Sequence, residues 1–187
     1  MKADIIDGQA IAKNLRDEIT RQVAELKKKY DRTPCLATII VGTNPASQIY
    51  IKNKEKMASK CGIDSVGYKL PVDVTEANLL SIINELNGDE KINGILVQLP
   101  LPSHINTARI ISNISAAKDV DGFHPLNTGS LANGHPNLIP CTPLGCKLIL
   151  QKVLKNLSGL NAVVIGRSTI VGKPMAQLLL AENCTVT

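Results

Sequence analysis

Apolar positions along the chain follow two alternating spacings. Between residues 11 and 26 they recur every three or four positions, which predicts a helix over roughly residues 9 to 29. The next apolar run, 36–41, is short and continuous, as in a buried strand. The same alternation continues downstream. It predicts helices over 45–60, 79–86, 105–114, 143–157 and 173–182, and strands over 63–70, 92–99, 162–165 and from 186.

Helices that alternate with strands predict an α/β fold with a mostly parallel sheet. The pattern breaks at 118–142, where Asp, Gly, Asn, His and Pro are frequent, and a long irregular segment of this kind is often functional. A doubly wound nucleotide domain needs more strands than follow residue 162. We therefore expect one domain over 1–139, the beginning of a Rossmann-type domain over 140–187, and more chain beyond it.

Composition narrows the classes of protein that fit this fold. With one Phe, three Tyr and no Trp in 187 residues, the core must consist of aliphatic side chains, and few rings are present to stack on nucleic-acid bases. The net charge of +5 is modest, and its densest cluster, 27–29, lies at a predicted helix end where cations are favoured. We therefore expect no nucleic-acid partner.

The cysteines and the apolar runs indicate the compartment. The five cysteines form no C-x-x-C pair, which argues against a disulfide framework or a zinc site and favours reduced thiols in the cytoplasm. No apolar stretch is long enough for a signal peptide or a membrane span. We expect a cytoplasmic protein with no membrane association.

Three polar residues share one face of the predicted helix 45–60. Ser47, Tyr50 and Lys54 are three and four positions apart, so their side chains are neighbours. A lysine that lies beside a phenol and away from water can exchange protons near neutral pH. The alternative is an ordinary solvated helix face, which the charged residues around these three favour.

Gln98 lies at the end of an apolar strand. Ligands of open α/β sheets gather at the carboxyl ends of strands, and an amide there can both donate and accept hydrogen bonds. The alternative is a side chain that satisfies the backbone of the following loop.

The segment 118–125 contains two carboxylates. Asp121 can accept two hydrogen bonds from adjacent N–H donors of a ring. Asp119 is an alternative for that role, and both residues are also suited to cap turns beside Gly122. His124 and its loop neighbour His135 lack a third ligand at regular spacing, so we expect no metal site.

A glycine-containing loop, 166–174, lies between a predicted strand and a predicted helix. Such a turn exposes backbone N–H groups at the positive end of the helix, where phosphate binds. The spacing departs from G-x-G-x-x-G, because Ser168 occupies the position of the second glycine, so the motif is weak by itself. Arg167 beside a phosphate favours NADP over NAD.

Together these segments resemble the bifunctional methylenetetrahydrofolate dehydrogenase/methenyltetrahydrofolate cyclohydrolase family, often called FolD. They occur in the family's order and spacing over nearly the whole chain. The matching stretches are 41–50 with Lys54, 94–102, 118–125, 140–143 and 164–174.

The resemblance implies a role for each matched residue. Lys54 resembles the catalytic lysine, Tyr50 the neighbour that packs over the folate, and Gln98 the residue that assists Lys54. Asp121 resembles the carboxylate that holds the pterin. Further residues implied are Val97 and Leu99 for the folate wall, Gly166, Arg167 and Ser168 for the NADP phosphates, and Thr142 near the nicotinamide.

The resemblance also implies an activity. It is the NADP-dependent oxidation of 5,10-methylenetetrahydrofolate to 5,10-methenyltetrahydrofolate, followed by hydrolysis to 10-formyltetrahydrofolate. The alternatives are a dehydrogenase without the hydrolase step and a catalytically silent folate-binding fragment. Tetrahydrofolate one-carbon derivatives are the implied partners, and the full-length protein is expected to be a homodimer. We expect weak NADP binding by these 187 residues alone, since half of the nucleotide-binding sheet would be unpaired.

Overall fold

The computed structural model describes residues 4–187, and in that part of the chain helices and strands alternate as predicted. The helices are α1 (Gly8–Tyr30), α2 (Pro45–Lys60), α3 (Glu76–Gly88), α4 (Thr107–Asn113), α5 (Pro125–Ala132), α6 (Cys141–Leu154) and α7 (Gly172–Ala181). The strands are β1 (Cys35–Val41), β2 (Asp64–Leu70), β3 (Gly94–Val97), β4 (Asn161–Ala162) and β5 (Thr185–Val186). The predicted α/β class is confirmed.

The chain packs as two compact units. One comprises residues 15–120, and the other comprises 121–187 together with residues 4–14. The predicted division into 1–139 and 140–187 differs from these packing units, and it stays a prediction.

The unit over 15–120 contains a three-stranded parallel sheet in the order β2-β1-β3. The central strand β1 is apolar except for Thr38 because helices cover both of its faces. One face packs against α3 and α4, and this core cluster includes Ala37, Ile39, Val41, Leu79, Ile83, Val97 and Ile110. The other face packs against α2, where Ile51 contacts Ile40 and Leu96.

The second unit contains a parallel pair of short strands, β4 and β5. Hydrogen bonds continue beyond the strands, since the Val164 amide donates to the Thr187 carbonyl at 2.8 Å. Leu157, Leu179 and Cys184 form the core of this unit, under α6 and α7. The predicted strand over 162–165 is thus shorter than expected and begins one residue earlier.

One helix was absent from the prediction. Within the segment expected to be irregular, Pro125–Ala132 forms α5. Pro125 occupies a first-turn position that proline tolerates, and Nδ1 of His124 accepts the Leu126 amide at 3.1 Å. The cap and the proline start a helix although few apolar residues mark its face.

The described residues include no helix long and apolar enough for a bilayer. All five cysteines are free thiols. Among residues 4–187 no three His, Cys, Asp or Glu side chains gather in a way that could hold a metal ion.

An ion pair joins α6 to the end of α7, and it predicts a pH-dependent stability. Lys147 Nζ lies 2.6 Å from Glu182 Oε1, and the hydrogen bond from Lys147 holds the pKa of that carboxyl below its ordinary value of 4.5. A lowered folded-state pKa stabilises the fold above the ordinary value, and this stabilisation is lost as the pH falls through the lowered value. Lys147→Met should therefore cost at most about 1 kcal/mol at pH 7.

Thermal unfolding from pH 7 down to pH 3 measures this effect. The difference in Tm between wild type and Lys147→Met should shrink towards zero at the acid end. Lys152→Met, which removes an exposed lysine from the same helix, is the matched control and should leave Tm unchanged. A Lys147→Met deficit that stays constant down to pH 3 contradicts the assignment.

Candidate active site

The polar helix α2 is held on the sheet at its start and its middle. The side chain of Asn44 accepts the Ser47 amide at 3.1 Å, which caps the helix, and Pro45 occupies the first turn. Ser47 and Ile51 are buried beneath the helix. Gly62, with φ of 77°, follows the helix end, as the sequence predicts.

Tyr50 and Lys54 lie four residues apart on this helix, on neighbouring turns. Tyr50 is 63 % exposed, and Lys54 is half-buried. Within the described chain no hydrogen bond or ion pair occupies the Lys54 amine. The phenol ring and the amine are therefore both free to meet a ligand.

In the side-chain amide of Gln98, the nitrogen has a hydrogen-bond partner and the oxygen has none among residues 4–187. Its backbone N–H donates to the Ile39 carbonyl at 2.8 Å, so it continues the pairing of β3 with β1 by one residue. Its Nε2 donates to the Leu99 carbonyl at 2.7 Å, while Oε1 is buried and has no partner among residues 4–187. Since a buried acceptor without a donor costs about 1–3 kcal/mol, this oxygen is suited to receive a hydrogen bond from a ligand or from Lys54.

The strand pattern places Gln98 and α2 on the same face of the sheet. Side chains alternate along a strand, so Gln98 lies on the face of Leu96, and Leu96 packs against Ile51 of α2. Helical side chains lean towards the helix N-terminus, which directs Lys54 towards the carboxyl edge of the sheet where β3 ends. The helix that carries Tyr50 and Lys54 thus packs on the sheet face to which Gln98 belongs, and the meeting of the three side chains in one site stays a prediction.

Val97 and Leu99 flank Gln98 in the sequence. Val97 is buried in the core on the opposite face of the sheet from Gln98, so its side chain supports the strand from beneath. Leu99 is half-buried, and the peptide bond that joins it to Pro100 is cis. Their predicted role as a folate wall stays a prediction.

The segment 118–120 lies beside β3. The Ile95 amide donates to the Lys118 carbonyl at 2.7 Å, and Ile95 forms a parallel bridge with Asp119. Gly94 permits this approach, because a Cβ there would lie 2.4 Å from Cγ1 of Val120. The close packing fixes the backbone that leads directly to Asp121.

Lys118 anchors the same segment from its other side. Its Nζ donates to the carbonyls of Leu86, Asn87 and Asp89 at 2.8–2.9 Å, at the C-terminal end of α3. A cation is favoured there by the negative end of the helix dipole.

The two carboxylates of this segment differ in burial. Asp119, the alternative candidate, is only 2 % exposed, whereas Asp121 is half-buried and begins the second packing unit. Gly122 has φ of 68°, and a Cβ there would meet the backbone of Ile139 and Pro140 at 2.7 Å. The turn after Asp121 therefore requires glycine.

The candidate phosphate loop precedes α7. Ser168 Oγ accepts hydrogen bonds from the amides of Val171 and Gly172 at 3.1 and 3.2 Å, so it satisfies two N–H groups beside the helix start, where Val171 is the N-cap residue. Gly172 lies against Gly166, where an added Cβ would be 2.3 Å from the Gly166 carbonyl oxygen. Arg167 is exposed beside this tight turn. Thr142 is exposed in the first turn of α6, in the same unit.

Two residues near Lys54 were not among the predicted site residues. Glu55 Oε1 accepts a hydrogen bond from Thr38 Oγ1 at 2.9 Å, and Thr38 is 1 % exposed. In the sequence Glu55 is only one of the charged residues around Lys54 that favour a solvated helix face. Its position four residues after Ile51, on the face that packs against the sheet, is the signal that could have identified it.

The opposite edge of the sheet contains an open depression of about 1260 Å³, lined at the strand starts by Cys35, Asp64 and Asn93. Burial, aided by the charges of Asp64 and Asp89, raises the pKa of the Cys35 thiol. A protonated thiol is a poor nucleophile. This edge lies away from the residues that the sequence singled out.

Two family models match the chain. Residues 6–121 match the catalytic domain of tetrahydrofolate dehydrogenase/cyclohydrolase, and residues 140–187 match the NAD(P)-binding domain of the same family.

Known relatives extend the match. The Bifunctional protein FolD 1/3 of Ruegeria pomeroyi is 52 % identical over 187 residues, which are 100 % of this chain and 63 % of that protein. The FolD protein of Pelagibacter ubique is 52 % identical, over 98 % of this chain and 65 % of its own length. The chain thus spans less than two thirds of the length of these relatives.

Solved structures agree. The FolD dehydrogenase/cyclohydrolase of Campylobacter jejuni superposes with a TM-score of 0.95 at 46 % identity, over 98 % of this chain and 65 % of that one. The Trypanosoma brucei FolD enzyme, solved with NADP and an inhibitor, has a TM-score of 0.95 at 39 % identity, over 100 % of this chain and 64 % of that one. The chain therefore belongs to the tetrahydrofolate dehydrogenase/cyclohydrolase family, as the resemblance of its motifs implied.

Proposed function

We propose that the protein oxidises 5,10-methylenetetrahydrofolate to 5,10-methenyltetrahydrofolate with NADP and hydrolyses the product to 10-formyltetrahydrofolate. The observation that carries the proposal is the buried, unpartnered Oε1 of Gln98 on the same face and edge of the sheet as the free amine of Lys54. A site with an unused acceptor beside an unused donor is prepared for proton transfer to or from a ligand.

In the oxidation step, NADP when bound supplies the acceptor for the hydride that leaves the methylene carbon. The folate product is then a cation. The site accommodates this cation better when the Lys54 amine is hydrogen-bonded to the uncharged Gln98 amide than when it is a free ammonium group, since like charges repel. Tyr50, exposed at the helix surface, packs over the folate ring.

In the hydrolysis step, water attacks the methenyl carbon and the ring N–C bond opens to give the formyl group, with release of one proton. Gln98 orients the water through its amide oxygen, and the Lys54 amine accepts that proton. Asp121 binds the pterin by accepting two parallel N–H hydrogen bonds. Val97 and Leu99 complete the wall beside Gln98.

The loop 166–172 has features that suit the phosphates of NADP. The close contact between Gly166 and Gly172 brings backbone N–H groups to the start of α7, where an anion is favoured. Ser168 Oγ already accepts hydrogen bonds from two of these amides, so phosphate binding would share or replace those hydrogen bonds. Arg167 would pair with a phosphate, and Thr142 would lie near the nicotinamide.

The remaining assignments concern the whole protein. We place it in the cytoplasm as a homodimer, in keeping with its free thiols and its family. Size-exclusion chromatography with light scattering tests the dimer.

Two assays on the complete reading frame that carries these residues test the function. One follows NADP reduction with methylenetetrahydrofolate, and the other follows hydrolysis of methenyltetrahydrofolate without cofactor. We expect turnover in both. Turnover in the first alone indicates a dehydrogenase-only enzyme. Folate protection against heat without any turnover indicates a silent binding module, and either result rejects the bifunctional assignment.

A further inference from the structure

Thr38 and Glu55 form a part-buried hydrogen bond between the sheet and α2. Thr38 Oγ1 donates to Glu55 Oε1 at 2.9 Å, and the threonine is 1 % exposed. Hydrogen bonds to a charged acceptor are stronger and more directional than those between neutral groups. The contact is therefore a fixed attachment point rather than a mobile surface pair.

The neighbouring strand has a gap that accommodates this contact. Gly67 of β2 is the register partner of Thr38, and a Cβ there would lie 3.0 Å from Glu55 Oε1. The strand thus lacks a side chain at the one position where the carboxylate rests. We refer to Thr38, Glu55 and Gly67 together as the α2 latch.

The latch and the neighbouring apolar contact have matching spacings along the helix and the strand. Ile51 packs against Ile40 on this face of the sheet. From that pair, Glu55 lies four residues onward in the helix, about 6 Å, while Thr38 lies two residues back in the strand, about 6.6 Å. Because helix and strand run in opposite directions, the two contacts match only for one position of α2.

An apolar contact alone resists sliding of the helix but not small rotations, since it is not directional. A rotation of about 10° moves a side-chain tip about 6 Å from the helix axis by about 1 Å. Lys54 and Tyr50 are carried on this helix, next to Glu55. A displacement of 1 Å at a reacting group can reduce the rate by roughly 10²-fold.

We infer that the α2 latch is a positioning device, which sets the rotation of α2 so that Lys54 reaches the ligand beside Gln98. The inference rests on the function proposed above. Thr38 and Glu55 do not touch the reacting atoms; they act through the helix that carries Lys54.

The test measures methenyltetrahydrofolate hydrolysis by the complete protein, at a temperature where circular dichroism shows every variant to be folded. Thr38→Val and Glu55→Ala should each lower kcat roughly ten- to a hundredfold, with KM changed less than about threefold. The conservative variants Thr38→Ser and Glu55→Gln retain a donor and an acceptor, and should keep at least about half of kcat. Lys56→Met, an exposed change on the same helix, is the matched control.

A double-mutant cycle tests the gap at Gly67. Gly67→Ala should lower kcat in the wild-type background, because the methyl group displaces the carboxylate, and should add little in the Glu55→Ala background. Equal losses in both backgrounds, or full kcat in folded Thr38→Val, overturn the latch.

Lys54→Met, measured alongside, separates the two proposals. If it is inactive while Thr38→Val is fully active, the latch is wrong and the proposed function stands. If Lys54→Met is also fully active, the proposed function fails and the latch fails with it as a catalytic positioning device.

Discussion

Lys54→Met is expected to remove cyclohydrolase activity almost completely while the protein still binds folate. The amine is the proposed proton-handling group of the candidate site, and loss of such a group typically costs 10²- to 10⁴-fold in rate, so we expect kcat to fall by about that factor. Methionine preserves the length and the apolar stem of lysine, so the packing of the half-buried side chain is kept. Folate affinity, measured by fluorescence or calorimetry, should change less than about fivefold, because Tyr50 and Asp121 remain in place.

The chain provides its own controls for this substitution. Lys52 and Lys56 lie on the same helix but are exposed, and replacing either with methionine removes the same charge. These variants should hydrolyse methenyltetrahydrofolate at the wild-type rate. If folate binding by Lys54→Met fell in full proportion to its activity, the lysine would be a binding residue and the proton-handling role would be wrong.

Much of the fold could be predicted because its signals are local. The helical spacing of 11–26 and the continuous apolar run of 36–41 each depend on neighbouring residues only, and both elements match their predicted bounds within one residue. Gly62 follows the end of α2 as expected, because glycine is the residue type that most readily adopts a left-handed backbone conformation. The parallel sheet then follows from the alternation of these elements.

The missed features depend on contacts between distant residues or on weak local signals. The helix α5 starts from a histidine cap and a proline rather than from an apolar stripe. β3 is shorter than the strand predicted over 92–99. Gln98 and Leu99 both lie beyond its last residue, although Leu99 is as apolar as the residues within the strand. No periodicity distinguishes an apolar residue within a strand from one just after it.

In the candidate site, too, local features could be predicted from the sequence, whereas contacts between distant residues could not. Spacing along one helix predicts that Tyr50 and Lys54 are neighbours, and the structure gives both the expected helix. The attachment of Glu55 to Thr38 joins residues 17 positions apart and depends on strand register, which the sequence does not reveal. The empty position at Gly67 becomes meaningful only once its register partner is known.

Gly172→Ala is expected to impair the dehydrogenase step while sparing the hydrolase step. The added methyl carbon would lie 2.3 Å from the Gly166 carbonyl oxygen and 2.8 Å from the Arg167 amide nitrogen. Both atoms belong to the backbone, so the loop itself must move, and overpacking of this kind costs about 1–3 kcal/mol. The amides proposed to bind the phosphates would move with it, and we expect NADP affinity to fall at least about tenfold.

Two assays and one matched variant decide this prediction. NADP affinity and NADP reduction should both fall in Gly172→Ala, whereas cofactor-free hydrolysis of methenyltetrahydrofolate should stay within about twofold of wild type, because Lys54 and Gln98 lie in the other unit. Gly145→Ala is the control, since a Cβ there meets nothing within 4 Å and alanine is the better helix former. Because the clash is confined to the loop, a joint loss of both activities at unchanged Tm would show that the two steps share this loop, and the separation of roles argued for the two units would then be wrong.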